Sequence, residues 1–314
     1  MSNAFIFPGQ GSQTVGMGRE MAEAFPEARA VFDEVDEALG EKLSAIIWDG
    51  SEADVNLTRN TQPALMAVSM AVLRAMETRG ISVAKHAAYV AGHSLGEYTA
   101  LAAAGSIGIG ETARLLRIRG DAMQQAVPVG EGAMAAILGL ELDQVTDVAQ
   151  AAAQGEVCQA ANDNAPGQIV VSGTKSAVER AVDIAKARGA KRAILLPVSA
   201  PFHCALMAPA AEMMADALAN TEIASPVVPL VANVLAAPVD DPVQIRQHLV
   251  EQVTGSVRWR ESIIWMAQNG VDQCVEIGAG KVLTGLTRRI ASDVAGLSVT
   301  KPDDIDAAIA ALAE

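Results

Sequence analysis

The hydrophobic positions change period along the chain, and each change predicts an element. Ala4-Phe5-Ile6-Phe7 is a continuous apolar run too short for a helix, which reads as a buried strand closed by the polar loop Pro8-Gly9-Gln10-Gly11-Ser12-Gln13. Four-residue recurrence of Val31, Val35 and Leu39 predicts a helix from Pro26 to Leu39, with the proline suited to its first turn. Leu65, Met66, Ser69, Leu73 and Met76 predict another from Pro63 to Arg79, entered through a polar turn at Thr61-Gln62-Pro63. A strand ending near Gly92 and helices at Gly110 to Gln125, Met207 to Asn220 and from Pro242 onward follow the same logic, as do strands at Val228 to Val231 and Cys274 to Ile277.

Between these elements lies a stretch with a different rhythm. Strand Ala133–Leu138, helix Leu142–Ala153, strands Val157–Ala161 and Ile169–Ser172 across a polar loop, helix Lys175–Arg188 and strand Arg192–Leu196 give the order β-α-β-β-α-β of a ferredoxin-like unit. The chain is therefore expected to be α/β, a body with a mostly parallel sheet formed by residues 1–128 and 197–314, with residues 129–196 inserted as a ferredoxin-like subdomain.

Ala87 to Ala104 holds the most pointed chemistry. A short apolar run, Gly92-His93-Ser94-Leu95-Gly96, and the helix former Glu97 to Ala104 make the strand, sharp turn and helix of a nucleophile elbow. Glycines two residues to either side of Ser94 relieve the cramped backbone, and the serine then stands at a helix N-terminus, where free N–H groups can receive an oxyanion. The loop around Gln10 lies at the carboxyl end of its strand, where open α/β sheets collect ligands. It is not a dinucleotide fingerprint, because Thr14 stands where a glycine is required. Gly278-Ala279-Gly280-Lys281 likewise fails as a phosphate loop at Val275 and Val282.

In the helix Gly110–Gln125, Arg114, Arg117 and Asp121 share a polar face read as solvated. Arg119 is flanked at helical spacing by Leu115, Leu116, Ala122 and Met123, so it points inward. A buried cation needs an anionic partner, either a buried Asp or Glu or the carboxylate of a substrate. Four histidines compete to activate Ser94. His93 adjoins it on the turn, His86 lies at the far end of the strand, His248 sits in a helix, and His203 sits in the proline-punctuated loop Pro197 to His203, which favours it. No acid is placed to orient His203, so a main-chain carbonyl or an amide is expected to do so.

With 314 residues, 51% hydrophobic, a sizeable core is available. A net charge of −14 and a pI near 4.7 argue against nucleic-acid binding. Cys158, Cys204 and Cys274 are odd in number and far apart, so neither a disulfide framework nor a metal site is expected. No apolar run is long enough to span a membrane and no secretory signal is visible, which predicts a cytoplasmic protein.

Phe7 to Gln13, Gly92 to Glu97, Arg119, Ser199-Ala200-Pro201-Phe202-His203 and Glu251 to Trp259 together resemble the malonyl-CoA:acyl carrier protein transacylases, in order and over nearly the whole chain. The resemblance implies an α/β-hydrolase-like body with a ferredoxin-like insertion. It also implies malonyl transfer from malonyl-CoA to acyl carrier protein in fatty acid synthesis, without a cofactor; a monomer is the default expectation, on which the sequence itself is silent. On that likeness Ser94 is the nucleophile, His203 its base, and Gln10 and Leu95 the oxyanion hole. Arg119 binds the malonyl carboxylate, the Gln252 main chain orients the histidine, and Phe202 disfavours an α-methyl group. Carrier proteins of this pathway are acidic, so Lys191, Arg192, Arg288 and Arg289 are docking candidates. Two other readings fit the elbow alone: a serine hydrolase using His248 with Asp216 or Asp240, and a carrier-binding module without catalysis.

Overall fold

The computed structural model describes residues 2–312. Among the described residues ten strands form two sheets: β1 (Asn3–Phe7), β2 (Tyr89–Gly92), β3 (Gly132–Leu138), β4 (Cys158–Ala165), β5 (Gln168–Thr174), β6 (Arg192–Leu195), β7 (Leu230–Ala232), β8 (Ala237–Val239), β9 (Gln273–Ile277) and β10 (Ala295–Val299). The larger sheet has the order β10-β9-β1-β2-β7-β8 and is parallel except at the edge, where β8 runs antiparallel to β7.

β1 explains why a continuous apolar run was needed. All five of its residues are buried. Alternate side chains enter different cores, Phe5 and Phe7 on one face and Ala4 and Ile6 on the other. The first face carries the helices Thr58–Thr78, Leu95–Ala103 and Ile109–Ala126; the second carries Trp259–Gln268 and Val282–Ile290. Parallel register brings the carboxyl ends of β1, β2, β7 and β9 together, and with them the loop at Gln10, the elbow at Ser94, Asn233 and the turn at Gly278.

The smaller sheet, β4-β5-β3-β6, is antiparallel throughout, which is the strand order of a ferredoxin-like unit. Ile137, Ile169 and Val171 pack under its helices Leu142–Ala153 and Lys175–Ala187 as a separate core. Met134 and Val170 on the opposite face line the cleft against the larger sheet. The two sheets are joined where Val257 exchanges main-chain hydrogen bonds with Ala161 and Asp163, and Asp163, buried, holds Arg260 at 2.9 Å.

Two boundaries differ from the sequence reading. The helix expected to begin at Pro63 begins at Thr58, after Leu57 closes the preceding turn, and Pro63 lies inside it, where its missing N–H forgoes one main-chain bond to the Arg59 carbonyl. Thr61 and Gln62 are therefore helical, not a turn. Asn162-Asp163-Asn164, expected in a loop, continue β4 as far as Ala165, and the connection shrinks to Pro166-Gly167. The polar side chains misled because one face of this strand meets the cleft rather than a core. No helix among the described residues is long and apolar enough to cross a membrane.

Candidate active site

The elbow is built by contacts that exclude side chains. A Cβ on Gly92 would lie 1.9 Å from the Gly96 carbonyl oxygen, and one on Gly96 would lie 2.3 Å from that of Phe7. The helix after Ser94 is thus pressed onto β2 and onto the end of β1, and only glycine allows both approaches. Ser94 itself has φ 54° and ψ −111°, a strained backbone. Asn233, at the end of β7, fastens it: its Oδ1 accepts the Ser94 N–H at 2.8 Å and its Nδ2 donates to the Gly92 carbonyl at 2.7 Å.

His203 reaches the serine from the loop after β6, also at positive φ (58°). Its Nδ1 faces two main-chain carbonyls, of Gln252 at 2.9 Å and Gly255 at 3.2 Å. Carbonyls only accept, so Nδ1 carries the proton and Nε2 is bare, accepting from the Ser94 hydroxyl at 2.7 Å. Burial, followed by the nearby Arg119 charge, pushes the His203 pKa down to about 3. The imidazole is a neutral base across the physiological range.

Arg119 is 1% exposed. Its Nη1 donates to Gln62 Oε1 at 2.8 Å; its Nη2 donates to Gln252 Oε1 at 2.8 Å and to Ser94 Oγ at 3.1 Å. The alternative left open by the sequence, a direct ion pair with a buried acid, is absent among the described residues. Glu97 is the nearest acid, and Gln252 stands between them, its Nε2 donating to Glu97 Oε2 at 2.6 Å and to the Ser94 carbonyl at 2.9 Å. Burial raises the Glu97 pKa to about 7 against the smaller opposing pull of these hydrogen bonds.

Gln10 and Leu95 line the same cleft of about 640 Å³ as Ser94, Arg119, Phe202 and His203, and neither main-chain N–H is donated elsewhere among the described residues. Gly9 packs against the His93 carbonyl, where a Cβ would come within 2.6 Å, which seats the Gln10 loop on the elbow. His93 turns away from the serine and pairs with Asn164 at 2.8 Å.

Several expected residues stand apart. His248 pairs with Glu251 on an outer helix, and Asp216 and Asp240 are exposed, so the alternative hydrolase set does not assemble around Ser94. Lys191, Arg192 and Arg288 are exposed; Arg289 is tied to Gln168 and to the Pro166 carbonyl at the β4–β5 turn, beside the cleft. Arg117, read as solvated, is only 12% exposed in its side chain, covered by Glu41 and Asn60 from neighbouring elements. The sequence reads Gln62 only as part of a polar turn able to line a pocket and Glu97 only as the residue closing the elbow motif; it does not single out Asn162, Asn164 or Asn233. The one available signal was position: Glu97 lies in the first turn after the elbow, and Asn233 follows a strand end.

An elbow serine hydrogen-bonded to a carbonyl-oriented histidine, beside free N–H groups at the carboxyl ends of a parallel sheet, defines a serine acyl-transfer enzyme. The acyl transferase domain family matches residues 4–301. The malonyl CoA-acyl carrier protein transacylase of Bacillus subtilis is 46% identical over 99% of this chain and 97% of its own, and that of Escherichia coli K12 is 46% identical over 98% of each. The crystal structure of the acyl-carrier-protein S-malonyltransferase from Bartonella henselae, 57% identical, superimposes with a TM-score of 0.98 over the whole of both chains. A malonyl-transacylase solved in complex with a type II polyketide acyl-carrier protein is 43% identical, with a TM-score of 0.96 over 99% of this chain and all of the other. The chain belongs to the malonyl CoA-acyl carrier protein transacylase family, as its motifs suggested.

Proposed function

We propose that this chain carries malonyl from malonyl-CoA to the phosphopantetheine thiol of acyl carrier protein, through an ester on Ser94. The observation that carries the reading is a single serine hydroxyl within reach of both a neutral histidine and a buried, uncompensated arginine. Ser94 Oγ gives its proton to His203 Nε2 and attacks the thioester carbonyl; the oxyanion lies against the Gln10 and Leu95 N–H groups. As the tetrahedral intermediate collapses, the C–S bond breaks and the CoA sulfur leaves with the proton from His203. The carrier thiol then repeats the sequence in reverse, so the same groups serve both halves. Every proton and bond balances with these side chains, and no cofactor enters.

Arg119 grips the malonyl carboxylate. Esterification favours this, because an ester oxygen is a weaker acceptor than a hydroxyl and frees the Nη2 donor that Ser94 engages. An acetyl group offers the guanidinium nothing, and leaving it unpaired costs about 1.5–3 kcal/mol for each charge-assisted hydrogen bond forgone. Phe202, buried at the cleft wall, narrows the space for an α-methyl group. Residues 129–196 supply the second wall as an inserted unit, and Lys191, Arg192, Arg288 and Arg289 offer the acidic carrier a positive surface in a chain that is negative overall. An enzyme of this kind supplies extender units for fatty acid synthesis.

Mass spectrometry of the protein mixed with malonyl-CoA tests the reading: a malonyl adduct is expected on Ser94, discharged by holo carrier protein, and absent in Ser94→Ala. His203→Ala is expected to abolish loading and His248→Ala to leave it intact; the reverse would sink the assignment. Methylmalonyl-CoA is expected to load more slowly, and discharge to slow with added salt more than loading does.

A further inference from the structure

We propose that Gln62 and the Gln252 side chain set acyl specificity, by holding the Arg119 guanidinium with neutral acceptors that leave its charge available to an anionic acyl group. The inference rests on the carboxylate role of Arg119 and extends it to residues that never touch the reacting atoms.

A fully buried arginine is ordinarily paired with a carboxylate. Arg119 has two amide oxygens and one hydroxyl. Both amides are fixed in orientation by what lies behind them. Gln252 Nε2 faces two acceptors, the Ser94 carbonyl and Glu97 Oε2, so its Oε1 must face Arg119. Gln62, 1% exposed on the helix Thr58–Thr78 directly before Pro63, turns its Nε2 to the Met123 sulfur at 3.7 Å and its Oε1 to Arg119. Glu97 is set one amide away and is held partly protonated near neutral pH by burial, which further limits compensation. The guanidinium is therefore positioned by two partners and neutralised by neither, and Nε and the second Nη1 hydrogen stay unused. A carboxylate at either glutamine would give Arg119 an internal counter-ion that malonyl must displace.

The test compares Gln62→Glu, Gln62→Met and Arg119→Ala in transfer of malonyl and acetyl from CoA to holo carrier protein, with kcat and KM separated. Gln62→Glu retains shape and an acceptor, so a packing role predicts that it is milder than Gln62→Met. The proposal predicts the opposite for malonyl: kcat/KM falls by roughly 100-fold in Gln62→Glu, the scale set by charge-assisted hydrogen bonds, mainly through KM, and by roughly tenfold in Gln62→Met. Acetyl transfer in Gln62→Glu stays within about fivefold of wild type, which also reports a folded site. Equal losses of malonyl and acetyl transfer in Gln62→Glu, or wild-type malonyl transfer, would overturn the proposal. Equal losses in Arg119→Ala would remove the carboxylate role beneath it; a selective loss there leaves the Gln62 variants to judge the cradle alone.

Discussion

Replacing Glu97 by glutamine is expected to make the protein more stable above neutral pH and no different below pH 4. Glu97 Oε2 accepts from both Gln252 Nε2 and the Asn233 N–H, while Oε1 is buried without a partner. A glutamine can put its oxygen where Oε2 lies and its nitrogen where Oε1 lies, keeping both hydrogen bonds and removing only the charge. Burial raises the carboxyl pKa from 4.5 to about 7. Between these values the folded protein holds a proton that the unfolded chain has released, so stability falls as pH rises through the window. At 1.36 kcal/mol per pH unit the difference amounts to about 3 kcal/mol, fully lost above pH 7 and absent in the variant. Urea unfolding of both proteins at pH 4, 5.5, 7 and 8.5 measures it: the stability gap should widen toward about 3 kcal/mol in favour of Glu97→Gln. A gap flat to within about 1 kcal/mol across that range would refute the reasoning, since the charged carboxylate would then be no worse buried than exposed.

Three further outcomes follow from the geometry. His203, proposed as the base, acts when deprotonated, and its pKa is pushed down to about 3 by burial and Arg119, so activity should not decline through the ordinary histidine range as pH falls. Loading rates of Glu97→Gln between pH 4.5 and 8 check this, with Glu97 removed as a second titrating group; a half-maximal point near 6.5 would contradict it. Gly92→Ala puts a methyl 1.9 Å from a main-chain oxygen that cannot swing aside, and should cost more than about 3 kcal/mol in unfolding experiments and abolish loading. Gly285→Ala, in an open helical position, should instead stabilise by about 0.5–1 kcal/mol.

The elbow, the apolar first strand and the inward arginine were legible because each is a local pattern. Glycine spacing, a buried run and helical periodicity follow from backbone sterics and the exclusion of apolar groups from water, and these act over a few residues. His203 was narrowed by there being only four histidines and by its proline-rich loop. The connections among these pieces were not legible. That Asn233 fastens the elbow, that Gln62 and Gln252 cradle Arg119, and that Glu97 sits behind them depends on the parallel register of β1, β2 and β7 and on the helix Thr58–Thr78 crossing the site. Asn162 to Asn164 show why. Their polarity is correct for a loop and equally correct for a strand whose face meets a cleft, and only the neighbouring sheet decides between the two. The sequence determined which groups can react; the tertiary structure decided that the buried arginine meets two amides and a serine hydroxyl, because an uncompensated charge can be held only by partners that the fold brings from distant parts of the chain.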